Sequence, residues 1–227
     1  EHTATYDLTI SKWIANQSSS KKVSWLQSLP LKQELRYGEN PHQKASWYGE
    51  PEKGWSGANQ LQGKELSTNN LLDLEAALST LREFGYKNTF SNPSYQKAAV
   101  VIKHTNPCGV AIDSSQKNAW KNALASDSES AFGCVVAFTS PVEKETAEEI
   151  GGHFLECIIA PGFSEEALEI LSSKKNRRML TLSQFLPRED ELRIRQLVGG
   201  WVAHIQGPPS ADCDSEHCVT TTQATPE

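Results

Sequence analysis

Lys103 and His104 stand side by side in the stretch "IKHTNPCGV", residues 102–110, directly after the apolar run from Ala98 to Ile102. An imidazole is the usual side chain for accepting a proton near neutral pH. The ammonium beside it disfavours a second positive charge on the ring, which keeps His104 ready to take a proton. The same ammonium can stabilise an oxyanion as it develops. Asn106 is placed to orient a ring nitrogen, and Pro107 and Gly109 to fix the loop. On spacing alone, a surface lysine next to a satisfied loop histidine explains the pair equally well.

Arg36 opens a second candidate, in "LRYGENPHQ" (35–43). An arginine followed by a rigid turn suits a bidentate clamp on phosphate. Tyr37 can stack on a planar ring and His42 can donate a hydrogen bond, although an ordinary surface turn accounts for the same residues. Gly133, just before the apolar "CVVAF", allows close backbone approach to a ligand. Glu156, before "CIIA", can bind a ribose hydroxyl; both also read as a turn glycine and a helix-end glutamate. Metal spacing is weak. His104 and Cys108, like His153 and Cys157, are four apart, and Cys213, His217 and Cys218 cluster near the end, but no paired Cys-x-x-Cys occurs. No metal site is therefore expected, and no phosphate-cradling glycine loop is present.

These residues need elements to position them. The clearest helix is "STNNLLDLEAALSTLREFG" (67–85), with Asn69 or Asn70 as cap and Asp73 in the first turn. Leu71, Leu74, Leu78 and Leu81 form its apolar face, and Gly85 can end it. "AAVVI", "CVVAF", "CIIA" and "RRMLTL" read as strands, the middle two without polar alternation and so buried on both faces. "KASWY" reads as a short strand. Helices are expected over "SSQKNAWKNALASD", "ETAEEIGGHFLE" and "SEEALEILSSKK", the last capped by Ser164. Tyr6, Ile10, Trp13 and Ile14 share one face of an N-terminal helix. Alternating strands and helices imply an α/β layer fold with a mostly parallel sheet, its site beyond the carboxyl ends of the strands.

Composition bounds the function. The 227 residues carry a net charge of −6, with 37% hydrophobic and 22% charged residues. No basic stripe argues for nucleic acid, and no apolar run is long enough to span a membrane. Five cysteines, an odd number, three of them in or beside apolar runs, fit reduced thiols in a cytosolic compartment.

The motifs occur in a fixed order: "LRYGENPHQ", "LQGKELSTNNLLDLEAA", "IKHTNPCGVA", "SAFGCVVAF" and "FLECIIAPGFSEEALEIL". Over residues 30–206 this string closely resembles the bifunctional purine-biosynthesis family that joins AICAR formyltransferase to IMP cyclohydrolase. "EHTATYDLTISKWI" resembles the last helix of that family's cyclohydrolase domain. The resemblance implies four segments: 1–17, that helix; 18–29, a linker; 30–206, the first half of the formyltransferase domain; and 207–227, a disordered tail. It implies a cytidine-deaminase-like fold, the first repeat of a duplicated domain, with a mostly parallel sheet flanked by helices. It also implies formyl transfer from 10-formyltetrahydrofolate to the 5-amine of AICAR. His104 is then the proton acceptor, and Lys103 stabilises the transition state. Arg36, Tyr37, Gly133 and Glu156 become nucleotide contacts. The family is a homodimer, and its potassium site falls in the second half, as does much of the folate site. Such a half-domain leaves a sheet edge uncovered and is expected to self-associate. The alternative is a non-catalytic remnant that binds nucleotide or a partner chain.

Overall fold

The computed structural model describes residues 2–17, 28–84, 97–182 and 192–205. The expected linker, apart from residues 28 and 29, the helix end at Gly85 and the tail at 207–227 lie outside the described residues. The chain divides into two compact units, 1–185 and 186–227.

The first unit begins with helix α1 (His2–Gln17), on which Tyr6, Ile10, Trp13 and Ile14 are exposed. Strands β1 (Leu31–Leu35) and β2 (Ala45–Tyr48) form an antiparallel pair around the loop that carries Arg36. A 3-10 turn, Gly54–Gly57, leads into β3 (Asn59–Gln62) and helix α2 (Thr68–Leu81). Then come β4 (Lys97–Lys103), β5 (Asn106–Asp113) and α3 (Gln116–Ser126). Next are β6 (Cys134–Phe138), α4 (Lys144–Ile150) and β7 (Leu155–Ala160), and α5 (Glu165–Ser172) and β8 (Arg178–Thr181) complete the unit.

Six strands form one sheet in the order β3-β8-β7-β6-β4-β5. Its two faces follow from period-2 alternation within apolar runs. Ala99 and Val101 of β4, Val136 and Phe138 of β6, and Ile158 and Ala160 of β7 point to one face. They pack there on Ala119, Trp120 and Ala123 of α3, Ala147 and Ile150 of α4, and Ala167 and Leu171 of α5. Ala98, Val100, Ile102, Val135, Ala137, Cys157 and Ile159 point to the other, under Leu74, Ala77, Leu78 and Leu81 of α2. Each buried α2 leucine contributes roughly 2 kcal/mol.

The sheet is mixed, which corrects the expectation of a mostly parallel one. Only β6–β7 and β7–β8 are parallel, and each is linked by a crossover helix, α4 or α5. β4 runs antiparallel to both β5 and β6, and β3 antiparallel to β8. The cause is local: His104 and Thr105 make a two-residue turn that folds β5 back onto β4.

Two helix details also differ. The cap of α2 is Ser67, whose Oγ accepts from Asn70 N, while Asn70 Oδ1 accepts from Ser67 N. Asn70 is thus the reciprocal partner of a capping box, and Asp73 lies beyond the first turn. Ser164 caps α5 as expected, accepting from Ala167 N at 3.1 Å.

The described residues of the second unit form an antiparallel hairpin, β9 (Leu192–Leu197) and β10 (Gly200–Ile205). Leu192, Leu197, Trp201, Val202 and Ile205 are all exposed on it.

Candidate functional site

One row of paired residues, Ile102–Val135–Cys157–Arg178, crosses four strands of the sheet. Lys103 is one residue beyond this row, so the carboxyl end of β4 meets the amino ends of β6, β7 and β8. Of the six strands, β4 and the outer strand β3 bring their carboxyl ends to this edge, and Lys103 leaves the end of β4. At a strand spacing of about 4.8 Å, β4 and β7 are roughly 10 Å apart at this edge.

Three strands bulge here. Cys108 is the extra residue of β5 opposite Val101 and Ile102, Glu156 that of β7 opposite Cys134 and Val135, and Leu61 that of β3 opposite Leu180 and Met179. Bulges concentrate where a side chain must be re-aimed, commonly beside active sites.

Lys103 is half-buried and donates from Nζ to Phe132 O, with the ammonium 6.0 Å from the Phe132 ring centroid. His104 is exposed, and its imidazole has no hydrogen-bond partner among the described residues. Asn106 does not reach that ring: its Nδ2 donates to His104 O at 2.7 Å. His104 has φ 54° and Thr105 φ 62°. Both fall in the left-handed region, as a type I′ hairpin turn demands, yet neither is Gly, Asn or Asp.

Gly133 has φ 73° and donates from N to Phe154 O at 2.9 Å. A Cβ there would lie 3.2 Å from the Phe154 ring, so this bend into β6 specifically needs glycine. Phe132 and Phe154 stack in a tilted pair, centroids 5.1 Å apart, and both are exposed. Glu156 is paired: its Oε2 accepts from Arg178 Nη1 at 2.7 Å.

Arg36 is exposed, with its guanidinium 5.2 Å over the neighbouring Tyr37 ring. The loop is closed by Gly38 N to Gln43 O at 2.9 Å and Gln43 N to Asn40 O at 3.0 Å. The first turn of α2 grips it: Thr68 Oγ1 donates to Tyr37 O at 3.0 Å and Asn69 Nδ2 to Glu39 O at 3.2 Å. His42 is exposed on the same loop. The α2 residue Asp73 accepts from Thr105 N at 2.7 Å. One helix thus holds both the Arg36 loop and the Lys103–His104 turn.

Sequence reasoning missed Arg178 and the role of Asp73. A pair of arginines opening a strand was a readable signal for Arg178. Asp73 acts on a backbone N–H, which no spacing reveals. The cysteines beside the site are not activated: burial pushes the Cys108 thiol up, and the Cys134 and Cys157 thiols up to about 12. Among the described residues no group of three or more His, Cys, Asp or Glu side chains is placed to hold a metal ion. No helix among them is long and apolar enough to cross a membrane.

Comparison with known proteins adds the family. The bifunctional purine biosynthesis protein PurH of Prochlorococcus marinus strain NATL1A is 70% identical over 221 residues, covering 97% of this chain and 43% of that protein. PurH of Synechococcus sp. strain CC9605 is 54% identical over 200 residues, covering 88% of this chain and 38% of that protein. PurH of Prochlorococcus marinus strain MIT 9515 is 47% identical over 227 residues, all of this chain and 44% of that protein. The chain thus spans less than half the length of these relatives. The family model described as AICARFT/IMPCHase bienzyme matches residues 1–227, and with the motif loops and their shared helix in view, the chain belongs to that family.

Proposed function

We propose that this chain carries the lysine–histidine part of a formyl-transfer site of purine biosynthesis. The donor is 10-formyltetrahydrofolate and the acceptor the 5-amine of AICAR, whose products the relatives' cyclohydrolase activity closes to IMP. The observation that carries the reading is the clamping of two loops to one helix, one with Arg36 and Tyr37, the other with Lys103 and His104.

The arrangement divides the chemistry. The amine nitrogen attacks the formyl carbon, and His104 takes the amine proton. Lys103 leaves Phe132 O and stabilises the oxyanion on the formyl oxygen. The bond from the formyl carbon to N10 of the folate then breaks; its electron pair goes to N10, which takes up a proton. Formylated AICAR and tetrahydrofolate leave. Arg36 binds the nucleotide phosphate and Tyr37 its planar base. Gly133 gives close backbone approach, and Glu156 offers its second oxygen to a ribose hydroxyl.

The wider family traits belong to the same proposal. Residues 30–206 form a cytidine-deaminase-like repeat of a duplicated domain, preceded by the last cyclohydrolase helix, and the protein works in the cytosol as a homodimer. A potassium ion and the remaining folate contacts come from parts of the family's length outside this chain. The 43% share of the PurH relative supports this division.

The test is formyl transfer from 10-formyltetrahydrofolate to AICAR by the purified chain, with His104→Ala as control. Activity in the wild type that the control lacks supports the reading. No activity in either favours a remnant that binds without turning over.

A further inference from the structure

The turn that presents Lys103 and His104 is built from unfavourable material. A left-handed conformation costs an ordinary L-residue free energy at each position, and Thr105, β-branched, is among the worst choices for it. Such conformations persist only where the surroundings hold them. Two of the bonds that hold this turn are internal to it: Thr105 Oγ1 and Asn106 Nδ2 each donate to His104 O at 2.7 Å. These move with the turn and cannot fix it relative to the rest of the site. The bond from Thr105 N to Asp73 Oδ1, 2.7 Å, reaches outside the hairpin. Asp73 stands on a helix fixed at its start by the Ser67–Asn70 capping box and along its length by Leu74, Leu78 and Leu81 in the core.

We propose that Asp73 is a positioning residue for the Lys103–His104 pair: its carboxylate holds the strained two-residue turn and registers it against the Arg36 loop on the same helix. The catalytic half of this inference rests on the formyl-transfer reading. Asp73 touches no reacting atom and acts through the Thr105 amide. The choice of threonine makes the device testable, because glycine at 105 adopts the same conformation without cost and lessens the need for the clamp.

The experiment compares the full chain with Asp73→Ala, Asp73→Asn and Asp73→Ala/Thr105→Gly variants. Two readouts are taken: hydrogen exchange at the Thr105 amide, and kcat and KM for formyl transfer. Asp73→Ala should raise exchange at Thr105 by about tenfold or more while Val100 and Val101 in the core of β4 stay protected. It should lower kcat by about tenfold with KM for the nucleotide changed little, since the Arg36 loop keeps its own bonds to α2. Asp73→Asn retains an oxygen acceptor and should stay near wild type. The glycine double variant should recover most of the lost kcat. Unchanged exchange at Thr105 in Asp73→Ala, equal damage from Asn and Ala, or no rescue by glycine would overturn the proposal. If the wild-type chain shows no turnover, as a chain without the remaining folate contacts would, the exchange results still decide whether Asp73 holds the turn.

Discussion

Arg178 Nη1 lies 2.7 Å from Glu156 Oε2, but the two ends of this ion pair are unequally wet: 5% of the arginine side chain is exposed against 38% of the glutamate's. Arg178 also donates from Nε and Nη2 to Glu65 O, at 3.2 and 3.1 Å. Its charge is therefore fixed within the fold, whereas Glu156 can turn to water.

That inequality predicts an asymmetric response to mutation. Glu156→Ala strands a buried guanidinium and should cost about 2 kcal/mol of stability. Arg178→Met keeps the buried apolar stem, leaves a carboxylate that hydrates, and should cost about 1 kcal/mol or less. Urea unfolding of both variants checks the order; a larger loss for Arg178→Met would show that the bonds to Glu65 O outweigh the ion pair.

Gly109 tests the packing of α3 on the site hairpin. A Cβ at this position would lie 1.8 Å from Ala123 O, a backbone atom that cannot swing away. Gly109→Ala should cost about 3 kcal/mol by forcing α3 off β5. Gly152→Ala meets nothing within 4 Å and serves as the control. Chemical denaturation separates them, and equal midpoints would mean that α3 shifts freely.

The buried thiols predict an alkaline weakness. Burial raises Cys134 and Cys157 from an ordinary 9.0 to about 12. A group whose folded value lies above its unfolded one contributes stability that is complete below the unfolded value and lost as pH rises toward the folded one. Wild-type stability should thus fall between pH 9.0 and about 12, and less steeply in a Cys134→Ala/Cys157→Ala variant. Circular dichroism melts across that range decide; parallel curves would remove the thiols from the account.

Among the described residues, strand β5 pairs on one side only, with β4, and β3 only with β8. Their outer N–H and C=O groups form open edges of the sheet, which favour pairing with another chain. Sedimentation at rising concentration should show self-association of the purified chain. A monomer throughout would mean that the edges are shielded.

Much of the fold could be read in the residues. The apolar runs behind β4, β6 and β7 announce buried strands, and the leucines of α2 announce its core face. β5 escaped because "NPCGVAID" contains a proline and a glycine, which lower strand propensity but are tolerated at an edge. β1, "LKQEL", escaped because it shows no apolar face. The direction of β4 relative to β6 escaped for a subtler reason. A two-residue hairpin normally shows itself as Asn-Gly or Asp-Gly, and His104–Thr105 carries no such mark. In the candidate site, Lys103, His104, Arg36 and Tyr37 stood out by side-chain type. Asp73 did not, because an aspartate that serves a distant amide looks like any helix aspartate.

The pairing of β3 with β8 bears on the order in which the molecule assembles. Asn59 and Thr181 are partners across most of the first unit's length, whereas Lys103 and Asn106 meet across a two-residue turn. Closing a short loop is entropically cheap and fast, and closing a long one is slow. The hairpin that bears Lys103 and His104, with the Asp73 bond that holds its turn spanning only 32 residues of sequence, can therefore form before β3 meets β8. Gln62 Nε2 reaches Lys174 O only once β8 is in place, and the same event brings Arg178 to Glu65 O. The strand edge of the site is thus complete only when the most distant contacts in the sheet have formed.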